Sequence, residues 1–196
     1  MLRPGSAPSA IAKANGVHVS VRSNLGLGVR GCTDPFLRSI YVAPYSHQPR
    51  AEWVIGHELA ELEIPEHLGD DHEHVCQAIA ARLMMPTREF FDSGSSCDWD
   101  LAVLRQWWPH CSWQAMARRV AEVAPGMAAA AWEGSRAKFH AIAPGVEVPS
   151  DLDALEQFVA AEAAFTKRHS VVREGGFEAR AWWTGGRRAV TLCRAG

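Results

Sequence analysis

The sequence lacks lysine and arginine along one stretch of its first half. Neither residue occurs between Arg50 and Arg82, although this stretch carries eight of the 22 acidic residues and four of the nine histidines. Outside it, 20 basic residues face 14 acidic ones (22 minus eight). Such a concentration of negative charge either attracts a cation or forms a solvated acidic surface. The histidines favour a cation, because imidazole is a common metal ligand.

Cysteine is scarce, and its number is odd. The five cysteines include no C-x-x-C pair, which argues against a disulfide framework and against a thiolate zinc site. No apolar run approaches the ~20 residues that a membrane helix needs. The first residues also lack the continuous apolar segment of a signal peptide. We therefore expect a protein of the cytoplasm without a membrane partner.

Hydrophobic residues make up 47% of the 196-residue chain, which is enough for a folded core. Alternating valines over 17–21 and the segment 39–43 predict two strands. The glycine-rich stretch 24–31 between them predicts a turn or an irregular hairpin. Apolar residues at helical spacing predict helices over 50–63 and from about 70 to 85.

The composition changes at Pro125-Gly126, where strand patterns and one further helix follow. We predict an α+β fold in which a small mixed sheet packs against a metal-binding helix and a helical bundle. The first domain is predicted over residues 1–124, with a helix-turn-helix-like part from about residue 87. A small α+β region of unknown role is predicted over 125–196.

The most informative short segment is His57-Glu58-Leu59-Ala60-Glu61. Residues four apart lie on one face of a helix, so His57 and Glu61 project side by side and can share one ion. Glu58 lies at the same rim. This is the geometry of the H-E-x-x-H zinc helix, with Glu61 in place of the second histidine. By itself the pentapeptide also fits chance spacing on a solvated helix.

A metal site of this kind needs a third protein ligand. Glu73 is the best candidate, because it begins the next predicted helix, whose buried stripe we expect at Val75, Ile79 and Leu83. The alternative ligands are His67, His72 and His74. At most one of His72 and His74 can point inward, because a single residue separates them.

Five segments then carry a resemblance to a known family. They are Ala10–Val19, Ile40–Val42, Arg50–Glu61, Glu73–Pro86 and Asp100–Arg119. In order and spacing they resemble the ImmA/IrrE family of metallopeptidases over roughly residues 9–124. The most distinctive segment is EHVCQAIAARLMMP, at 73–86.

The resemblance implies a role for each matching residue. His57 and Glu73 are implied as zinc ligands and Glu58 as the general base, while Glu61 stands where the family has its second histidine ligand. The implied activity is metal-dependent cleavage of a helix-turn-helix repressor protein, which derepresses prophage, mobile-element or stress genes. Because Glu61 adds a second carboxylate to the ligand set, manganese or iron becomes a competitor of zinc, and reduced or metal-shifted activity is expected.

Two other classes of function stay open at this point. The chain can be a weak or inactive relative that binds a regulatory protein or senses a ligand, which the substitution at Glu61 favours. It can also bind DNA through the segment 111–120, where Arg118 and Arg119 are adjacent. We expect instead that this segment is a core helix and that the protein does not contact nucleic acid directly.

Overall fold

A computed structural model describes residues 6–45, 47–64, 69, 71–143 and 152–195. Over these residues the chain has an α+β fold with seven helices, a three-stranded sheet and a five-stranded sheet. The chain divides into two compact units, one formed by residues 1–90 and 107–112 and the other by 91–106 and 113–196. None of the described helices has the length and hydropathy of a membrane-spanning segment.

The first unit contains the small mixed sheet that the sequence predicts. The elements of this unit, in chain order, are α1 (Pro8–Ala14), β1 (His18–Val21), β2 (Gly31–Asp34), β3 (Ser39–Val42), α2 (Gln48–Glu63) and α3 (His72–Met84). The strand order in the sheet is β1-β3-β2, with β1 parallel and β2 antiparallel to β3. Strand β2 was not predicted, because its sequence GCTD combines glycine and aspartate, which are rare in strands.

Helix α2 packs its apolar face onto this sheet. Val54, Ile55 and Leu59 share a buried core with Ile40 and Val42 of β3. The predicted helix over 50–63 is thus confirmed, with a start two residues earlier.

A buried carboxylate of α2 fixes the first helix. Glu52 accepts hydrogen bonds from the backbone N–H and the hydroxyl of Ser9, at 2.9 and 2.7 Å. The N–H groups of a first helical turn have no partner within the helix, so a carboxylate satisfies them well. Glu52 therefore joins α1 to the helix that carries the candidate site.

Helix α3 buries a different stripe from the predicted one. Cys76, Ala80 and Met84 are buried, together with Ala81, while Val75, Ile79 and Leu83 are only partly covered, so that prediction was wrong. The reason is the close approach of α2, where a Cβ at Gly56 would stand 3.5 Å from the Cβ of Ala80. Small side chains permit this close approach of the two helices. The larger apolar side chains of α3 lie on either side of the contact.

The second unit is built on a five-stranded antiparallel sheet. The remaining elements of the chain are α4 (Thr87–Ser96), α5 (Leu101–Trp107), α6 (Trp113–Val123), β4 (Met127–Glu133), β5 (Arg136–Ile142), α7 (Leu152–Thr166), β6 (Ser170–Glu174), β7 (Phe177–Gly185) and β8 (Arg188–Ala195). The strand order in the sheet is β5-β4-β8-β7-β6. Helices α4 and α5 contribute residues to both units.

Helices cover both faces of this sheet. Val159 and Ala163 of α7 pack on Ala128 and Cys193. Arg118 of α6 lies over the ring of Phe139, on the opposite face, since strand residues alternate between faces. This explains why β4 is buried along almost its whole length.

Helix α6 belongs to the same compact unit as the C-terminal sheet, whereas residues 107–112 just before it belong to the first unit. It buries Met116 and Val120, as expected of a core helix, and also Arg119, which pairs with Glu122 at 2.7 Å. The compact units therefore differ from a division at Pro125-Gly126. The functional assignment of 1–124 and 125–196 as separate domains stays a prediction.

Candidate metal centre

The candidate site lies on helix α2, on the side next to strand β2. His57 and Glu61 are partly exposed at its rim, whereas Glu58 is only 6% exposed. The Oε2 atom of Glu58 has no hydrogen-bond partner within the described part of the chain. A buried carboxyl oxygen without a partner is costly in a folded protein, so this atom marks the site as unusual.

Glycine at position 31 makes room for this carboxyl group. A Cβ built on Gly31 would stand 2.6 Å from Oε1 of Glu58 and 2.6 Å from Cγ1 of Val54. Both distances are far below a van der Waals contact, so the backbone of β2 lies directly against the Glu58 side chain. The sequence-based prediction missed this contact, because Gly31 belongs to the strand that was taken for a turn.

His57 stands between two carboxylates. Its Nδ1 atom lies 3.6 Å from Oε1 of Glu61, and its Nε2 atom lies 3.2 Å from Oε2 of Glu73. The other oxygen of Glu73 accepts a hydrogen bond of 2.6 Å from Gln77. The predicted neighbours are thus brought together, although Glu61 and Glu73 approach opposite nitrogens of the same ring.

Three of these side chains form a group that could hold a metal ion. Ligand atoms of His57, Glu58 and Glu61 all lie within 4.8 Å of one another. Glu73 is outside this group and meets His57 from the other side. A carboxylate on the second nitrogen of a histidine orients the ring and makes it a better metal ligand. The arrangement fits a divalent cation, since it combines imidazole and carboxylate donors with a buried oxygen that has no partner among the described residues.

The crowding of carboxylates changes their protonation. Burial, the charge of Glu61 and a hydrogen bond to Glu61 raise the pKa of Glu58 to about 8, with a smaller contribution from Glu73. Without a cation, Glu58 therefore keeps its proton at neutral pH. The hydrogen bond from Gln77, followed by the neighbouring His57, lowers the pKa of Glu73.

Two thiols flank the site and were not predicted to do so. Burial and the nearby charges of Glu58, Asp34 and Glu61 raise the pKa of Cys32. Burial and the charges of Glu61, Glu73 and Glu58 raise the pKa of Cys76 in the same way. Both thiols are thus kept neutral, and Cys76 packs as a small buried side chain.

The alternative histidine ligands have separate positions. His72 contacts the sulfur of Cys76 at 3.8 Å, one turn along α3. His74 is exposed on the same helix. His67 lies outside the described residues.

Comparisons with known proteins show the fold and no family. No protein-family model matches the chain, and no curated protein matches it. Among solved structures, a Mycobacterium tuberculosis transcriptional regulator matches with a TM-score of 0.70 and 13% sequence identity, over 99% of this chain and 71% of that chain. At this identity the likeness concerns the α+β fold alone.

The close approach at Gly31 gives a first prediction. In Gly31→Ala, we expect the new methyl group to push Glu58 and Val54 aside and to lower the free energy of unfolding by about 1–3 kcal/mol, the usual cost of overpacking. Gly56→Ala is the matched control, because its Cβ would meet atoms no closer than 3.4 Å and alanine favours a helix. Urea unfolding measures both variants; equal stability of the two would contradict the packing described.

The raised pKa of Glu58 gives a second prediction, for the metal-free protein. Between the ordinary value of about 4.5 and the folded value of about 8, the folded state holds a proton that the unfolded chain has lost. The contribution of Glu58 to stability is fully present below about pH 4.5 and is lost as the pH rises to about 8.

We therefore expect Glu58→Gln, which does not titrate, to gain stability relative to the wild type as the pH rises from about 5 to about 8. Urea unfolding in the presence of a chelator measures this difference. Glu63→Gln serves as the matched loss of an exposed carboxylate in the last turn of the same helix. A pH-independent difference between Glu58→Gln and the wild type would count against the raised pKa.

Proposed function

We propose that this protein is a metal-dependent endopeptidase and that Glu58 is its general base. The observation that carries the proposal is the position of Glu58, buried beside His57 and Glu61 with one oxygen unpartnered within the described residues. A solvated helix with chance spacing would leave this carboxyl in water. Perturbed carboxyl groups of this kind cluster at functional sites.

The proposed ligands are His57, Glu61 and Glu73. Both carboxylates lie within 3.6 Å of the same imidazole ring. The side chain of Glu73 is 60% exposed, against 15% for His57. Glu73 is therefore the ligand that can turn towards the Glu61 side at small cost, while His57 stays fixed.

The proposed chemistry divides between the cation and the protein. A bound divalent cation polarises the peptide carbonyl and makes water more acidic. The carboxylate of Glu58 takes a proton from the attacking water as the new C–O bond forms, and it passes this proton to the amine nitrogen when the C–N bond breaks. A cation held by His57, Glu61 and Glu73 would also lower the pKa of Glu58, so that its carboxylate would be available as the base.

The ligand set bears on the choice of metal. Two carboxylates neutralise the formal charge of a dication, which weakens it as a Lewis acid relative to a site with two neutral imidazoles. Oxygen donors also bring manganese and iron into competition with zinc. We propose zinc as the cofactor, with manganese or iron as alternatives and with a reduced rate for the zinc form.

The proposed substrate is a helix-turn-helix repressor in the cytoplasm. This part of the proposal is supported by the resemblance of residues 9–124 to the ImmA/IrrE metallopeptidases. The fold is also that of a protein described as a transcriptional regulator, which is compatible with a role in transcription but identifies no substrate.

A second function is favoured by one specific observation. Glu58 belongs to the same group of ligand atoms as His57 and Glu61. If Glu58 binds the ion, no base remains, and the site becomes a regulatory metal site in a protein-binding or sensing module. The two functions therefore differ in the role of a single carboxyl group.

Glu58→Gln separates them. As the base, Glu58 is needed for cleavage and is not a ligand, so we expect a loss of about 10²–10⁴-fold in cleavage rate without a large loss of affinity for zinc and manganese. Cleavage is measured by mass spectrometry on a panel of purified helix-turn-helix repressors, and affinity by calorimetry with each metal. A large loss of affinity would assign Glu58 as a ligand and support the regulatory site instead.

Glu61→His tests the effect of the unusual ligand. An imidazole at this position restores a more strongly polarising zinc site, so we expect the ratio of zinc-supported to manganese-supported cleavage to rise above that of the wild type. Glu61→Gln controls for the loss of charge alone. A wild-type protein already most active with zinc, and unchanged by the histidine, would show that Glu61 does not set the metal preference.

A further inference from the structure

Helix α7 of the second unit has two apolar faces. One face, with Val159, Ala160 and Ala163, is buried against the sheet. The other carries Phe158, which is 61% exposed, and Phe165, which is 89% exposed. Large aromatic side chains are rarely left in water at two related positions of one helix.

The exposed face is a regular stripe of four residues. Ala154, Phe158, Ala161 and Phe165 are all exposed. Their separations of four, three and four residues place them within an arc of about 60°, at 100° per residue. This stripe lies opposite the buried face, and its spacing is that of a seam between two packed helices.

The stripe is complementary to itself in one orientation. When two copies of α7 run antiparallel about the point midway between Phe158 and Ala161, Phe165 of each copy stands opposite Ala154 of the other. Phe158 likewise stands opposite Ala161. Every large side chain then meets a small one, which is how packed layers interdigitate. A parallel pair would instead set phenylalanine against phenylalanine.

Electrostatics favour the same orientation. The positive N-terminal end of each helix meets the negative C-terminal end of the other. The two copies are thus complementary in helix dipole as well as in side-chain size.

We propose that this stripe, Ala154, Phe158, Ala161 and Phe165, is a homodimer interface in which two α7 helices pair antiparallel. A phenylalanine can bury roughly 150–250 Å², so the exposed parts of four phenyl groups contribute roughly 600 Å² across the pair. Stable interfaces bury about 1,200–2,000 Å² in total. The dimer is therefore a weak one. The proposal is independent of metal binding and of catalysis.

Sedimentation velocity of the full chain between about 1 and 500 μM tests the dimer. We expect reversible dimerisation in the wild type and at least a tenfold weaker association, equivalent to about 1.4 kcal/mol, in Phe165→Glu. Phe36→Glu is the matched control, because Phe36 is 97% exposed in the first unit. Thermal unfolding confirms that both variants fold. A wild type that stays monomeric, or equal association of the two variants, overturns the proposal.

Cross-linking tests the orientation. Positions 154 of the two copies are about 16 Å apart along an antiparallel pair, at 1.5 Å per residue, beyond the reach of a disulfide. We therefore expect Ala154→Cys to cross-link with Phe165→Cys when the two proteins are mixed and oxidised, and not with itself. The wild type, with its five free cysteines, gives the background. Self-linking of Ala154→Cys overturns the antiparallel pairing.

Discussion

The packing of helix α2 against strand β2 is the contact on which the candidate site depends. Glu58 is held between these two elements because residue 31 has no side chain to exclude it. The apolar neighbours Val54 and Leu59 fix the rotation of α2 on the sheet. That rotation decides which polar residues reach the rim, so His57 and Glu61 owe their positions to the same contact. The positions of the polar side chains at the site therefore depend on the apolar packing of neighbouring residues on the same helix.

The site also concentrates negative charge on a stretch of sequence, 51–81, that carries no lysine or arginine. A protein can relieve such crowding with protons or with a cation. In the metal-free state a proton on Glu58 serves this purpose. A divalent ion would take the place of that proton, so binding and proton release are linked at one pair of side chains. Two buried or half-buried thiols at the edge remain neutral and add no further charge.

Much of this could be predicted from the sequence, and the failures have physical causes. The α+β class, the helix with His57 and the strands and helix after Pro125-Gly126 follow from apolar periodicity, which a one-dimensional pattern records. Strand β2 was missed because its glycine, which the tight contact with α2 requires, has a low strand propensity. The stripe of α3 was displaced because small residues, rather than the largest apolar ones, face the neighbouring helix. The side of His57 that Glu73 approaches depends on how two helices cross, which spacing along the chain does not contain.

The glycine in β2 has a consequence for how this chain can vary. Residue 31 and the pair Val54 and Glu58 occupy one small volume, so the three positions are free to change only together. A methyl group gained on the strand has to be matched by a smaller side chain on the helix, for example by valine becoming alanine or glutamate becoming aspartate. Covariation of these positions would therefore be a stricter sign of a shared site than the pentapeptide on the helix, which many unrelated helices could carry by chance.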